Sequence, residues 1–243
     1  LNLVVDIGNT NTKLAVFKGS ELLKHVKLEN SSLEAVKAFC EQYSIRQTIL
    51  SSVANHAIEL EHYFVEVGQL VVLDHSTPIP LQNKYASPET LGRDRLANAV
   101  GGMVAFPHKN VLVIDMGTCI KYDFVQNGES YLGGAISPGF VMRFKALNTF
   151  TDQLPLIEGD IFNELIGNTT TNSILSGVYN GVTKELKGVI EDYNNQFNDL
   201  KIVLAGGDAK FFKPDDISGK NSIFADIFIT LRGLNEILNY NAH

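Results

Sequence analysis

Two stretches of this chain carry one pattern, and no other feature restricts its fold as much. Val4–Ser20 reads VVDIGNTNTKLAVFKGS and Val113–Glu129 reads VIDMGTCIKYDFVQNGE; set side by side without a gap, Asp6 meets Asp115, Gly8 meets Gly117, Val16 meets Val125 and Gly19 meets Gly128. In both, an apolar run ends in a carboxylate and a glycine follows two positions later. The chain therefore reads as two halves built on one device. The first half continues through LNLVV, TKLAVFK and ELLKHVKL with a turn at Lys18-Gly19, the second through NVLVIDMG, CIKYDFVQ and ESYLGGAIS with a turn at Asn127-Gly128. A three-stranded antiparallel meander is expected to open each half.

After the first meander, Leu33, Val36, Phe39 and Cys40 recur at helical spacing. TILSSV and QLVVL read as short strands separated by a helix around Glu59 to Val65, an alternation that adds parallel strands to the meander. A longer helix is expected from near Pro88 through RDRLANAVGGMVAF, where Gly101-Gly102 weakens an isolated helix but suits close packing against another. The second half supplies helices at Val141 to Thr149, Thr171 to Tyr193 and Phe228 to Asn239, with KIVLAGGDA between the last two as strand and turn. The expected domains are 1–107 and 108–243, joined by a compact boundary near Phe106 to Asn110.

A length of 243 residues suffices for a sizeable core, and 44% hydrophobic with 19% charged residues matches an ordinary soluble globular protein. The net charge of −7 argues against broad binding to nucleic acid or an anionic membrane, and leaves small molecules as the expected partners. No run of about 18 apolar residues occurs, and no basic segment precedes the first strand, so a cytoplasmic location is expected. Cys40 and Cys119 form no disulfide framework or C-x-x-C pair, and His25, His56, His62, His75, His108 and His243 show no metal-ligand spacing.

The repeated device suits phosphate chemistry. A glycine after a strand-ending carboxylate lets backbone approach a ligand, and successive backbone N–H groups there, with Asn9 and Thr10 beside them, form a concavity for phosphate oxygens. Asp6 itself repels phosphate unless Mg²⁺ or its waters lie between them. Lys13 on the next strand offers a point charge. A lone D-x-G is more simply an Asx turn ending a strand; its duplication favours a paired phosphate clamp.

DIGNTNTK, LGRDR, DMGTCIKYDF, GGAISPG, ALNTFTDQLP and AGGDA occur in the order found in type III pantothenate kinases, which this sequence resembles from Val4 to Asn235. These belong to the acetate and sugar kinase, Hsp70 and actin superfamily. The resemblance implies an α/β fold of two ribonuclease H-like (actin-like ATPase) domains, each a mixed sheet flanked by helices. It also implies ATP-dependent phosphorylation of pantothenate to 4'-phosphopantothenate, a homodimer, and a monovalent cation (K⁺ or NH₄⁺) beside Mg²⁺.

Carried over by motif, Asp94 of LGRDR is the expected base and Arg95 the partner of the pantothenate carboxylate. Tyr85 and Gly92 line that substrate, and Thr170 reaches it from the partner subunit, with Thr169 and Thr171 as alternative registers. Arg93 is expected to be a solvated neighbour. Asp6 is the Mg²⁺ partner; Gly8, Asn9, Thr10 and Lys13 form the first ATP loop, and Gly117 and Thr118 the second. Asp115 is the expected ligand of the monovalent cation, while Gly206, Gly207 and Asp208 resemble the turn beside the nucleoside.

Two departures from the family pattern stand in the second loop. Cys119 replaces the usual alanine and reads as a small packed residue. Lys121 replaces a threonine two positions before Asp123, and three readings are open: an added phosphate contact, a substitute for part of the monovalent cation's charge, or a side chain paired with Asp123 or solvent. Alternation puts Lys121 and Asp123 on one face. Rival functions are a sugar or acetate kinase of the same superfamily and a noncatalytic regulator on the same scaffold. Retention of Asp6, Asp94, Arg95 and Asp115 disfavours the regulator.

Overall fold

The structure is a computed structural model and describes residues 1–8, 11–29, 32–52, 58–217 and 222–242. It divides into two compact units. The first comprises Leu1–Pro107, Glu129–Tyr131 and Phe228–His243, the second His108–Gly128 and Leu132–Ile227.

The first unit runs β1 (Asn2–Ile7), β2 (Thr12–Lys18), β3 (Glu21–Leu28), α1 (Leu33–Cys40), β4 (Gln47–Ser52), α2 (Ile58–Val67), β5 (Gln69–Val72), β6 (Gln82–Asn83), a short 3-10 turn and α3 (Arg93–Ala105). Its main sheet has the order β3-β2-β1-β4-β5. β1, β2 and β3 pair antiparallel, whereas β1, β4 and β5 pair parallel. Central β1 is buried along its whole length, as a strand covered on both faces must be. Leu3, Val5 and Ile7 join Val36, Phe39, Leu60 and Phe64 in one core. The alternate residues Val4 and Asp6 face the other side of the sheet.

The second unit repeats this plan. It contains β7 (Asn110–Met116), β8 (Cys119–Gln126), β9 (Ser130–Pro138), α4 (Phe140–Thr149), α5 (Thr170–Gln196), β10 (Leu200–Ala205), α6 (Pro214–Ile217) and β11 (Ile223–Ala225). The sheet order is β11-β10-β7-β8-β9-β6, so β9-β8-β7-β10-β11 matches β3-β2-β1-β4-β5 strand for strand. β7 pairs antiparallel with β8 and parallel with β10, as β1 does with β2 and β4. β6 pairs with Ser130 and Tyr131, which cluster with the first unit. Leu112, Ile114 and Met116 pack with Phe140, Phe144, Val178, Val182 and Leu186 in the second core.

Strand register corrects the gapless alignment of the two devices. Asp6 lies opposite Lys13, whereas Asp115 lies opposite Lys121 rather than Tyr122. The first hairpin closes at Ile7 and Thr12, the second at Met116 and Ile120, so the second loop is one residue shorter.

The last helix, α7 (Ile229–Tyr240), also departs from expectation, since it clusters with the first unit and not with 108–227. A Cβ at Gly233 would stand 1.8 Å from the Ala97 carbonyl oxygen, and one at Gly101 would stand 2.3 Å from that of Ile229. Backbone-to-backbone contact of α7 with α3 accounts for the glycine within GGMVAF. Asn2 donates to Asn235 at 2.8 Å, and Asn235 donates to the Gly19 carbonyl at 2.9 Å, satisfying polar groups buried beneath the helix.

Candidate active site

Each unit carries a carboxylate at the C-terminal end of its central strand. Asp6 and Asp115 are both nearly buried, at 7% and 9% exposure. Lys13 Nζ lies 3.7 Å from Asp6 Oδ2, with 43% of the lysine side chain exposed. Lys121 Nζ lies 2.7 Å from Asp115 Oδ2, with only 17% of its side chain exposed.

The loops that follow are closed by their own glycines. Gly8 N–H donates to the Asn11 carbonyl at 3.0 Å, and Gly117 N–H donates to the Cys119 carbonyl at 3.1 Å. Neither amide is turned toward a ligand, so the expected concavity depends on the other loop groups. Asn9 and Thr10 lie outside the described residues; Thr118 is exposed. The β9–α4 turn braces the second loop, with Gly139 N–H donating to the Thr118 carbonyl at 3.2 Å. Gly206, at φ 87°, brings the chain after β10 against Asp115: a Cβ there would be 2.6 Å from Asp115 Oδ1. Asp208 follows, its carboxyl pushed up by burial against the opposing pull of the Val141 N–H and Lys210.

A second cluster lies at the start of α3 in the first unit. Gly92 caps the helix and Asp94 occupies its first turn, with the Arg95 N–H donating to Asp94 Oδ1 at 2.9 Å. Arg95 is buried, and its guanidinium lies 5.6 Å from the centre of the Tyr85 ring, within cation–π range. Tyr85 in turn stacks on Tyr131 at 6.2 Å.

The comparisons with known proteins fall in one place. The family model for type III pantothenate kinases matches residues 2–192. A type III pantothenate kinase of Christiangramia forsetii is 46% identical over 243 residues, covering 99% of each chain. The chain belongs to the type III pantothenate kinase family. Among solved structures, a Campylobacter jejuni protein described as a Baf family transcriptional activator aligns over 98% of each chain at 20% identity and a TM-score of 0.60. An inorganic polyphosphate/ATP-glucomannokinase from Arthrobacter aligns over 99% of this chain and 98% of its own, at 14% identity and a TM-score of 0.52. These two likenesses agree with two ribonuclease H-like sheets flanked by helices.

Four further residues of this family member refine the sequence reading. Arg93 is not a solvated neighbour, because its guanidinium donates to the Ser52 carbonyl at the end of β4. Thr169 caps α5 by accepting from the Asn172 N–H at 3.1 Å, so its hydroxyl has a structural task, while Thr170 and Thr171 are exposed.

Arg143 on α4 went unnoticed in the sequence. It donates to Ser137 at 2.9 Å, to the Pro138 carbonyl at 3.0 Å and to Glu185 of α5, which also accepts from Tyr122 at 2.8 Å. This group fastens the Pro138-Gly139 turn behind the second loop. A charged residue one turn past a Pro-Gly pair was its one visible signal.

Proposed function

We propose that this chain transfers a phosphoryl group from ATP to the primary hydroxyl of pantothenate, giving 4'-phosphopantothenate for coenzyme A biosynthesis. Membership of the type III pantothenate kinase family along nearly the whole chain carries the reading. In such a transfer the protein mainly positions reactants and stabilises charge. Asp94 takes the hydroxyl proton as the oxygen bonds to phosphorus. Arg95 holds the pantothenate carboxylate, with Tyr85 and Gly92 lining the same substrate. The anchoring of Asp94 on a helix turn and of Arg95 under an aromatic ring supports fixed rather than wandering roles for both.

ATP is assigned to the two strand-end loops, through Gly8, Asn9, Thr10, Lys13, Gly117 and Thr118. Asp6 holds Mg²⁺. Ser51, its register partner on β4, has a buried hydroxyl without a hydrogen-bond partner among the described residues, and no group of three His, Cys, Asp or Glu among them could cage a metal. One carboxylate beside an unsatisfied hydroxyl suits an ion that keeps its waters and shares substrate phosphates. Mg²⁺ bound there would neutralise phosphate charge. The donors around Asp115 do not suit a monovalent cation in the same way, since Lys121 already occupies Oδ2.

A homodimer is the proposed assembly, with Thr170 reaching the partner's pantothenate. Exposed Phe150, Leu156, Leu165 and Ile166 in the segment before α5 support it, because apolar surface of that extent favours a covering partner. A cytoplasmic site of action fits the substrates, and no described helix is long and apolar enough to cross a membrane.

The test is phosphopantothenate formation by purified protein with ATP, Mg²⁺ and pantothenate, followed by mass spectrometry. Asp94→Asn is expected to cut the rate by about 10²- to 10⁴-fold, the usual contribution of a positioned base. Absence of product from the folded wild-type chain would overturn the kinase reading and bring forward the regulator.

A further inference from the structure

The environment of Asp115 is already supplied with a cation. Asp115 and Lys121 face each other in register across β7 and β8, on the same side of the sheet, and Lys121 Nζ lies 2.7 Å from Asp115 Oδ2. The other carboxylate oxygen is approached by the backbone at Gly206, where a Cβ would stand 2.6 Å away. Both sides of the carboxylate are therefore crowded by groups of this chain. Lys121 is also well shielded, at 17% side-chain exposure, so water screens its charge less than that of Lys13 at 43%.

A lysine ammonium is chemically an alkylated NH₄⁺. Held on a strand, it needs no supply from solution, whereas a free cation occupies its site only by mass action. We propose that Lys121 is the built-in cation of the second phosphate loop, standing where K⁺ or NH₄⁺ would otherwise lie against Asp115. Phosphoryl transfer by this chain then proceeds without a monovalent cation. Of the three readings of Lys121, the pairing with Asp115 favours the substitute charge. The inference rests on the kinase reading for its rate assay, but not for its binding assay.

The experiment compares wild type with Lys121→Thr and Lys121→Gln, in KCl and in choline chloride at equal ionic strength, free of ammonium. The wild-type rate is expected to change by less than about 2-fold between salts, since its charge is tethered. The variants are expected to fall about 10²-fold in choline chloride, on the scale of losing one preorganised charge contact, and to recover in KCl or NH₄Cl. Calorimetric titration with ADP and Mg²⁺ should follow the same division, with K⁺ tightening binding to the variants and leaving wild type unchanged.

A wild-type enzyme stimulated about 10-fold by K⁺ would overturn the proposal, whatever the variants do, since such a response exceeds any generic salt effect at matched ionic strength. So would folded variants equally active in both salts, or equally impaired in both, because the lysine would then be dispensable or purely structural. If neither variant folds, the wild-type comparison of salts decides alone. Wild type without product in either salt would sink the kinase reading, while the calorimetry would still decide the role of Lys121.

Discussion

The β1–β2 and β7–β8 hairpins share one plan and differ in how tightly each holds its charge. Both end a buried central strand in a carboxylate, both place a lysine opposite it, and both close the following loop through a glycine N–H. In the first, lysine and carboxylate stand 3.7 Å apart with the lysine side chain 43% exposed; in the second they are 2.7 Å apart and mostly covered. On the proposed roles, a half-exposed, loosely held lysine can move to a phosphate while its carboxylate serves a divalent metal. A covered, closely held pair acts instead as a fixed element of the site. The two hairpins thus share one plan but differ in loop length and lysine burial, and the proposed division of tasks between them rests on that difference.

The largest effect should come from breaking this pairing of roles. Asp6→Asn is expected to lower kcat by at least about 10²-fold, the scale on which one preorganised electrostatic contact acts, with partial recovery at high Mg²⁺. Asp115→Asn should cost about 10-fold and show no recovery with Mg²⁺, because Lys121 still brings positive charge to the loop. Steady-state kinetics across a Mg²⁺ series would check both. Equal losses with equal Mg²⁺ responses would mean that the two hairpins do the same work.

The plan of two halves was legible because the carboxylate, the glycine and the buried strand before them must recur wherever the device recurs. The meanders and the parallel strands added to the first followed from the turns and the strand-helix-strand alternation, whereas the short strands β6 and β11 carried no such signal. The partner of Asp115 was not legible. A gapless alignment matches Lys13 with Tyr122, and only backbone register shows that a shorter loop brings Lys121 opposite the carboxylate. The place of α7 was hidden for a related reason: a helix's apolar face states that it is covered, not by which unit. Gly101 and Gly233 mark the contact, yet neither names the other without coordinates. Arg143 and Glu185 are separated by most of α4 and α5, so no local spacing announced that they meet.

A smaller effect should separate the brace of the second loop from the loop itself. A Cβ at Gly139 would lie 2.3 Å from the carbonyl oxygens of both Gly117 and Thr118, whereas one at Gly117 would meet nothing within 4 Å among the described residues. Gly139→Ala must therefore displace loop backbone, at a cost of about 1–3 kcal/mol, the usual range for overpacking. Thermal unfolding should show a fall in Tm of about 2–4 °C per kcal/mol for a chain of this size, together with a raised KM for ATP. Gly117→Ala should stay within about 0.5 kcal/mol of wild type. A destabilised Gly117→Ala beside an unaffected Gly139→Ala would show that the β9–α4 turn does not brace the loop.

The smallest expected effect concerns pH and the group that holds that brace. Burial pushes the Glu185 carboxyl up, but hydrogen bonds from Arg143, Tyr122 and Ser137, with the Arg143 charge, outweigh it and leave the carboxyl below its ordinary value of 4.5. A carboxyl depressed by folding binds its proton more readily in the unfolded chain. Its stabilising contribution is therefore complete above the ordinary value and is lost as pH falls through the lower, folded one. Arg143→Met removes the main source of that depression, so wild type should be the more stable protein at pH 7, by a few degrees in Tm, and this advantage should shrink toward pH 3. A difference in Tm that stays constant from pH 7 to pH 3 would mean that Arg143 supports the Pro138-Gly139 turn by packing alone, leaving Glu185 no part in fixing the second loop.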